Sequence, residues 1–193
     1  MILIYVKKKN RKLNFDIDDN FIQNNLNIKI IDFGNAECNN ELDKETIYSR
    51  CYRPPENIIN YEYSFKSDIW VIGCILYELL NGNQLFDLSE YSFKNDIDKD
   101  RKHINLMYGV IGKMPREMAF ECELTDDIFD SKGRIIKNRE VEMRDIRKEI
   151  CERIEIEEHQ LDLIEDLLYK MLEYDPKKRL GTKEILEHKF FNE

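Results

Sequence analysis

The triplet Asp32, Phe33 and Gly34 closes the short apolar run I-K-I-I, and it is where residue types and spacing first suggest chemistry. A β-branched run of this kind reads as a buried strand, and a carboxylate at its carboxyl end can reach a phosphate-bound cation. Gly34 permits the backbone turn that aims such a carboxylate. Taken alone, the triplet also reads as a strand end followed by a turn, so its surroundings must decide. Other reactive types are scattered. The five cysteines, Cys38, Cys51, Cys74, Cys122 and Cys151, are odd in number and contain no C-x-x-C. That spacing suggests neither a disulfide framework nor a zinc site and points to a reducing, intracellular setting, cytoplasmic or nuclear. His103, His159 and His188 stand far apart and read as surface or packing residues rather than ligands.

The elements that would position Asp32 follow from patterning. With 193 residues, 42% of them hydrophobic and 11% aromatic, the chain can bury a core as one ordinary domain. The formal net charge of −9 argues against nucleic acid and makes a basic partner easier to accommodate. No run approaches a membrane span, and M-I-L-I-Y-V-K-K-K-N carries its charge after the apolar stretch, the reverse of a signal peptide. The runs I-L-I-Y-V and I-K-I-I-D, joined by an Asn-rich link, read as the two strands of a small hairpin. Helical text comes later. Residues 67–81 place Ile69, Ile72, Ile75, Leu76, Leu79 and Leu80 at helical spacing, with Ser67 or Asp68 as N-cap and Gly82 as stop. Apolar over most of its circumference, this helix should be central. Residues 157–176 repeat the pattern with Leu161, Ile164, Leu167, Leu168, Met171 and Leu172, closed by Pro176. A short helix follows from Thr182. Between them, residues 87–158 are mixed and charged, with a turn at S-K-G-R and short helices around 104–111 and 141–154.

In company, these stretches form an ordered series. D-F-G-N-A is followed by S-R-C-Y-R-P-P-E, then Y-S-F-K-S-D-I-W-V-I-G-C-I-L-Y-E-L-L-N-G-N-Q-L-F, then H-I-N-L-M-Y-G-V-I-G-K-M-P-R-E-M and L-E-Y-D-P-K-K-R-L-G-T-K-E-I-L-E-H-K-F-F. From about Ile2 to its end the chain resembles the carboxyl-terminal lobe of a eukaryotic serine/threonine protein kinase. Within the CMGC group it is most similar to the serine/arginine-protein kinases, with the LAMMER kinases second. The resemblance implies a mainly α fold with a small β-hairpin in residues 1–31, an activation segment over 32–56, and a helical lobe over 57–193 with a CMGC-type insert at about 87–158.

It also implies roles. Asp32 would hold magnesium on ATP, Phe33 would pack into the lobe and Gly34 would make the turn, so the three mark the cofactor end of the site. Ser49 matches a hydroxyl that contacts the catalytic aspartate and lysine. Arg53 matches an arginine that shapes the pocket for the residue after the phosphoacceptor, and Thr46 and Tyr48 are loop hydroxyls able to accept phosphate. Glu56 is expected to pair with Arg179 in a buried bidentate bridge, an architectural role shared with Trp70. Asp68 matches a helix aspartate that accepts hydrogen bonds from the catalytic loop, and without that loop a buried carboxylate there would cost roughly 1–3 kcal/mol.

The family also needs a glycine-rich loop, a strand lysine and a catalytic H-R-D followed by a metal-binding asparagine, and residues 1–31 contain none of them. Met1 falls where that asparagine is expected, so the chain reads as cut inside a structural unit, with no catalytic residue of its own. It is expected to be inactive alone, with the missing half supplied in cis or in trans, or else to serve as a noncatalytic interaction lobe. Protein substrates follow from the family. Arg/Ser-rich ones are a narrower expectation, weakened because Asn83, Lys102 and Gly109 stand where the subfamily tends to carry acids.

Overall fold

The structure, a computed structural model, describes residues 48–62, 64–137 and 141–192, together with Ile30, Ile31, Phe33 and Ala36. The chain divides into two units, Met1–Cys38 and Asn39–Glu193. In the first, the Ala36 N–H donates to the Phe33 carbonyl at 3.0 Å and closes a turn. Ile30 and Ile31 lie in no strand, and the rest of the expected hairpin lies outside the described residues. Phe33 is 68% exposed.

The second unit is helical, as expected. A 3-10 turn at Arg50–Tyr52 leads into α1 (Pro55–Ile58), followed by α2 (Ser67–Asn81), α3 (Asp96–Ile111), α4 (Arg116–Glu121) and α5 (Thr125–Ile128). Then come α6 (Ile146–Cys151), α7 (Glu158–Met171), α8 (Thr182–Leu186) and α9 (Lys189–Asn192). The extended pairing among the described residues is one antiparallel bridge, Phe129 to Ile135, across the S-K-G-R turn, where Gly133 takes φ 72°.

α2 is central: Trp70 and Cys74 are fully buried and Tyr77 nearly so. Its buried face is not the one its aliphatic spacing suggests. Ile72 and Leu79 are 39% and 68% exposed, while Ile69, Trp70, Val71, Gly73, Cys74 and Tyr77 face inward. An almost wholly apolar helix does not declare its face; the partners do. Gly73 is where α7 comes close, since an added Cβ would lie 3.2 Å from Met171 and Leu172 side-chain atoms. At the amino end the cap is Lys66, not Ser67 or Asp68, because the Ser67 hydroxyl donates to Glu56 at 2.8 Å instead. At the carboxyl end Gly82 (φ 84°) donates its N–H to the Glu78 carbonyl at 2.8 Å, the expected stop.

α7 buries Leu161, Ile164, Leu167, Leu168 and Met171 as its periodicity requires. α3 begins earlier than expected because the Asn95 side chain accepts the Asp98 N–H at 2.8 Å, with Asp96 and Asp98 favoured in the first turn. α6 is shorter than expected and starts where the Asp145 carboxylate accepts the Lys148 N–H at 3.0 Å. The helix expected from Thr182 is two, α8 and α9, and between them the buried His188 pairs with Asp166 at 2.9 Å. The insert is tied to α2 by Arg144, which donates to Glu149 at 2.9 and 2.6 Å, to the Tyr77 hydroxyl at 3.0 Å and to the Leu85 carbonyl at 2.5 Å.

The expected buried bridge is present. Arg179 donates to the two Glu56 oxygens at 2.7 and 2.8 Å, and both side chains are 0% exposed. The remaining donors of the guanidinium go to the carbonyls of Glu173, Lys66 and Tyr174 at 2.9, 3.0 and 3.2 Å. Replacing Arg179 by Ala leaves Glu56 buried and unpaired, and should cost about 3–5 kcal/mol in denaturant unfolding. Arg179→Lys should recover only part of it, because an ammonium cannot bridge two oxygens in a fork. Gly109→Ala should destabilise through sterics: its Cβ would sit 2.2 Å from the Glu142 carbonyl oxygen, so the strap at residues 141–145 must lift off α3. A lower melting temperature with protection lost at the Arg144 amide, which donates to the Gly109 carbonyl at 2.8 Å, would show it.

Candidate functional site

Two prolines set the backbone before the buried bridge. Pro55 occupies the first turn of α1, and Pro54 (φ −69°, ψ 155°) holds Arg53 extended at φ −64°, ψ 126°. Upstream, the Tyr52 N–H donates to the Ser49 carbonyl at 3.0 Å, making the 3-10 turn. The segment from Tyr48 to Glu56 is then pinned by side chains. The Tyr48 hydroxyl donates to Asp68 at 3.0 Å, the Tyr52 hydroxyl donates to Glu78 at 2.6 Å, and Glu56 is held by Arg179 and Ser67. Burial raises both phenols above the ordinary tyrosine range, with the carboxylates Asp68 and Glu78 adding to it, so each stays a donor. Ser49 is exposed between these anchors.

Arg50 and Arg53 turn back onto α3. Arg50 pairs with Asp100 at 2.6 Å, and Arg53 reaches the Tyr48 carbonyl at 3.5 Å. Burial pushes the Arg53 guanidinium down to about 10, and the neighbouring Arg50 charge pushes the same way. Asp100 is raised by burial against the pull of Arg50. His103, one turn further along α3, is fully buried and held well below the ordinary histidine value by burial and then by Arg50 and Arg53. Several buried polar atoms have no partner among the described residues: the donors Nε and one terminal nitrogen of Arg50 and Nε of Arg53, and both ring nitrogens of His103, one a donor and one an acceptor in the neutral ring.

Of the residues singled out by sequence, Ser49 and Arg53 share this segment, and Glu56, Arg179 and Trp70 form the buried support beneath it. Trp70 stacks on Phe86 at 5.8 Å between ring centroids and lies 5.3 Å from the Arg179 guanidinium. Asp32, Gly34 and Thr46 lie outside the described residues. Asp68 differs from expectation: it is exposed and accepts the Tyr48 hydroxyl, so the cost of a buried, unpartnered carboxylate does not arise. Sequence reading missed Arg50 and Asp100, and took His103 as a surface or packing residue; it is fully buried. A signal existed in the three-residue spacing of Arg50 with Arg53 and of Asp100 with His103, which puts the latter pair on one helix face.

A family model described as "Protein kinase domain" matches residues 16–191. Among curated proteins, the chain is 30% identical over 179 residues to "Dual specificity protein kinase lkh1" of Schizosaccharomyces pombe, covering 89% of this chain and 25% of that protein. It is 33% identical over 176 residues to "Dual specificity protein kinase CLK1" of Mus musculus, covering 86% and 33%. It is 30% identical over 172 residues to "Serine/threonine-protein kinase AFC3" of Arabidopsis thaliana, covering 85% and 41%. The chain therefore spans between 25% and 41% of the length of these relatives.

The buried His103 makes stability pH-dependent. In the unfolded chain a histidine takes a proton as pH falls through about 6.5, while the folded site keeps His103 neutral. Below that pH the unfolded state binds the extra proton, so stability falls by about 1.4 kcal/mol per pH unit for this group. Denaturant melts between pH 7.5 and 5 should show the decline, and His103→Leu should flatten it.

Proposed function

The chain belongs to the protein kinase family, and on that premise we propose that residues 48–192 form the protein-substrate side of an enzyme that transfers the γ-phosphate of ATP to serine and threonine hydroxyls. The observation that carries this reading is the pinned segment from Tyr48 to Glu56. Its two ends are fixed by buried or hydrogen-bonded carboxylates, while Ser49 stands exposed in the same segment as Arg50 and Arg53. Rigid positioning with preset electrostatics is what phosphoryl transfer demands. In this reading Ser49 contacts the catalytic groups and Arg53 walls the pocket for the residue after the phosphoacceptor. The family uses ATP with magnesium. Asp32, the residue that would hold the metal, and Gly34 lie outside the described residues, and Phe33 stands between them.

The relatives are CLK/LAMMER-type kinases of the CMGC group, which supports the LAMMER affinity ahead of the serine/arginine-protein kinases. Two of the three are named as dual specificity kinases, so tyrosine is the second acceptor to test. An Arg/Ser-rich substrate draws support from the net charge of −9. The local geometry disfavours it. Asn83 is exposed and donates to Asn81, Lys102 is a cation, and Gly109 has the Glu142 carbonyl where an acidic side chain would begin.

We propose that the glycine-rich loop, strand lysine and catalytic loop, which are not read in residues 1–31, act from elsewhere, in cis or in trans. The four described cysteines are free thiols, which fits an intracellular setting. Among the described residues no helix is long and apolar enough to cross a membrane.

The purified chain, given labelled ATP, magnesium and serine, threonine and tyrosine peptides, should transfer no phosphate. Completed with an amino-terminal kinase lobe and catalytic loop, it should phosphorylate protein. Asp32→Ala should then lower the rate by about 100-fold or more, with smaller losses for Ser49→Ala and Arg53→Ala. Transfer by residues 1–193 alone, abolished by Asp32→Ala, would overturn the inactivity. A silent completed enzyme would overturn the kinase reading and favour a noncatalytic lobe.

A further inference from the structure

A groove of about 270 Å³ opens between Tyr91–Phe93, the first turns of α3 and the bend at Ile135–Lys137. Part of its wall is apolar: the Tyr91 and Phe93 rings lie 6.4 Å apart, and Ile135 is buried. Its charges are mostly positive. Arg101 is neutralised locally by Asp98 at 3.1 Å and turned onto the Asp127 carbonyl at 2.9 Å. Lys102 stands 4.1 Å over the Tyr91 ring, and neither it nor Lys137 is paired with a carboxylate among the described residues. This surplus occurs in a chain whose formal net charge is −9, so overall composition does not produce it.

Size and chemistry narrow the occupant. Small-molecule sites usually enclose about 300–1,000 Å³, so this groove suits one or two side chains of a linear segment rather than a metabolite. Lysine ammoniums are point charges on flexible stems, which suit carboxylates spaced along an extended chain; planar bidentate recognition would call for arginine.

We infer that this groove docks an acidic peptide segment of a protein substrate, an Asp/Glu-rich stretch with one aromatic or branched side chain seated against Tyr91 and Phe93. The inference deepens the protein-substrate reading and rests on it for its purpose, but docking itself requires no phosphotransfer.

The test is fluorescence anisotropy of residues 1–193 with a labelled twelve-residue peptide of Glu and Asp around a single Phe. Saturable binding that weakens as sodium chloride rises is expected. Lys102→Glu and Lys137→Glu should each weaken it about fivefold. Lys102→Met, which keeps the stem over Tyr91, should weaken it less while leaving the melting temperature unchanged, and the remote Lys177→Glu should have no effect. The inference is overturned if no binding is seen to millimolar peptide, if a Lys/Arg peptide of the same pattern binds as well, or if the charge reversals change nothing. Concentration-dependent self-association lost in Lys102→Glu would also overturn it, making a second copy the occupant. Binding without phosphorylation by the completed enzyme would sink only the kinase reading, and phosphorylation without binding only the docking one.

Discussion

The Glu56–Arg179 bridge is the constraint on which the second unit depends. Two full charges sit out of water at 0% exposure, which is tolerable only when every hydrogen-bonding group on them is used. The guanidinium has five N–H donors, and its five bonds, two to Glu56 and one each to three backbone carbonyls, use them all. Those carbonyls belong to the turn after α7 and the residue before α2, while Glu56 starts α1. A single side chain thus fixes three distant stretches of sequence relative to one another. Lys66 adds a return bond to the Arg179 carbonyl at 2.6 Å. The segment from Tyr48 to Glu56 ends on this anchor, which is why a loop can present Ser49 and the two arginines in a defined arrangement.

Secondary anchors repeat the same principle with less burial. Tyr48 to Asp68 and Tyr52 to Glu78 both join the segment to α2 through a phenol and a carboxylate. On the opposite side of α2, Tyr77 donates to Glu149, which Arg144 also holds, so the insert is tied to the same helix by the same chemistry. α2 therefore works as a spine whose polar contacts sort the elements around it while its buried face supplies apolar area.

How far this was legible in the sequence depended on whether the signal was local. α7 was readable because its polar and apolar faces are distinct. α2 was readable as a helix, but its buried face was not, since apolar side chains surround it and Leu79 falls outward. The ends of α3 and α6 hinged on Asn95 and Asp145, single capping side chains in charged text. Glu56 and Arg179 are 123 residues apart, so nothing local joins them; their pairing was expected through the resemblance of the motifs around each. Arg50 and Asp100 went unnoticed, and His103 was read only as a surface or packing residue, because their grouping exists only once the 3-10 turn meets α3. The hairpin and Asp32 fall outside the described residues, and there the sequence reading stands by itself.

The position of Trp70 has a spectroscopic consequence. It is the chain's one tryptophan, fully buried, stacked on Phe86 and facing the Arg179 guanidinium at 5.3 Å. Intrinsic fluorescence excited at the red edge of protein absorption therefore comes from a single indole lying against the buried ion pair. The emission wavelength and its quenching by dissolved acrylamide report hydration at that one place, so opening of the bridge can be followed in solution without attaching a label.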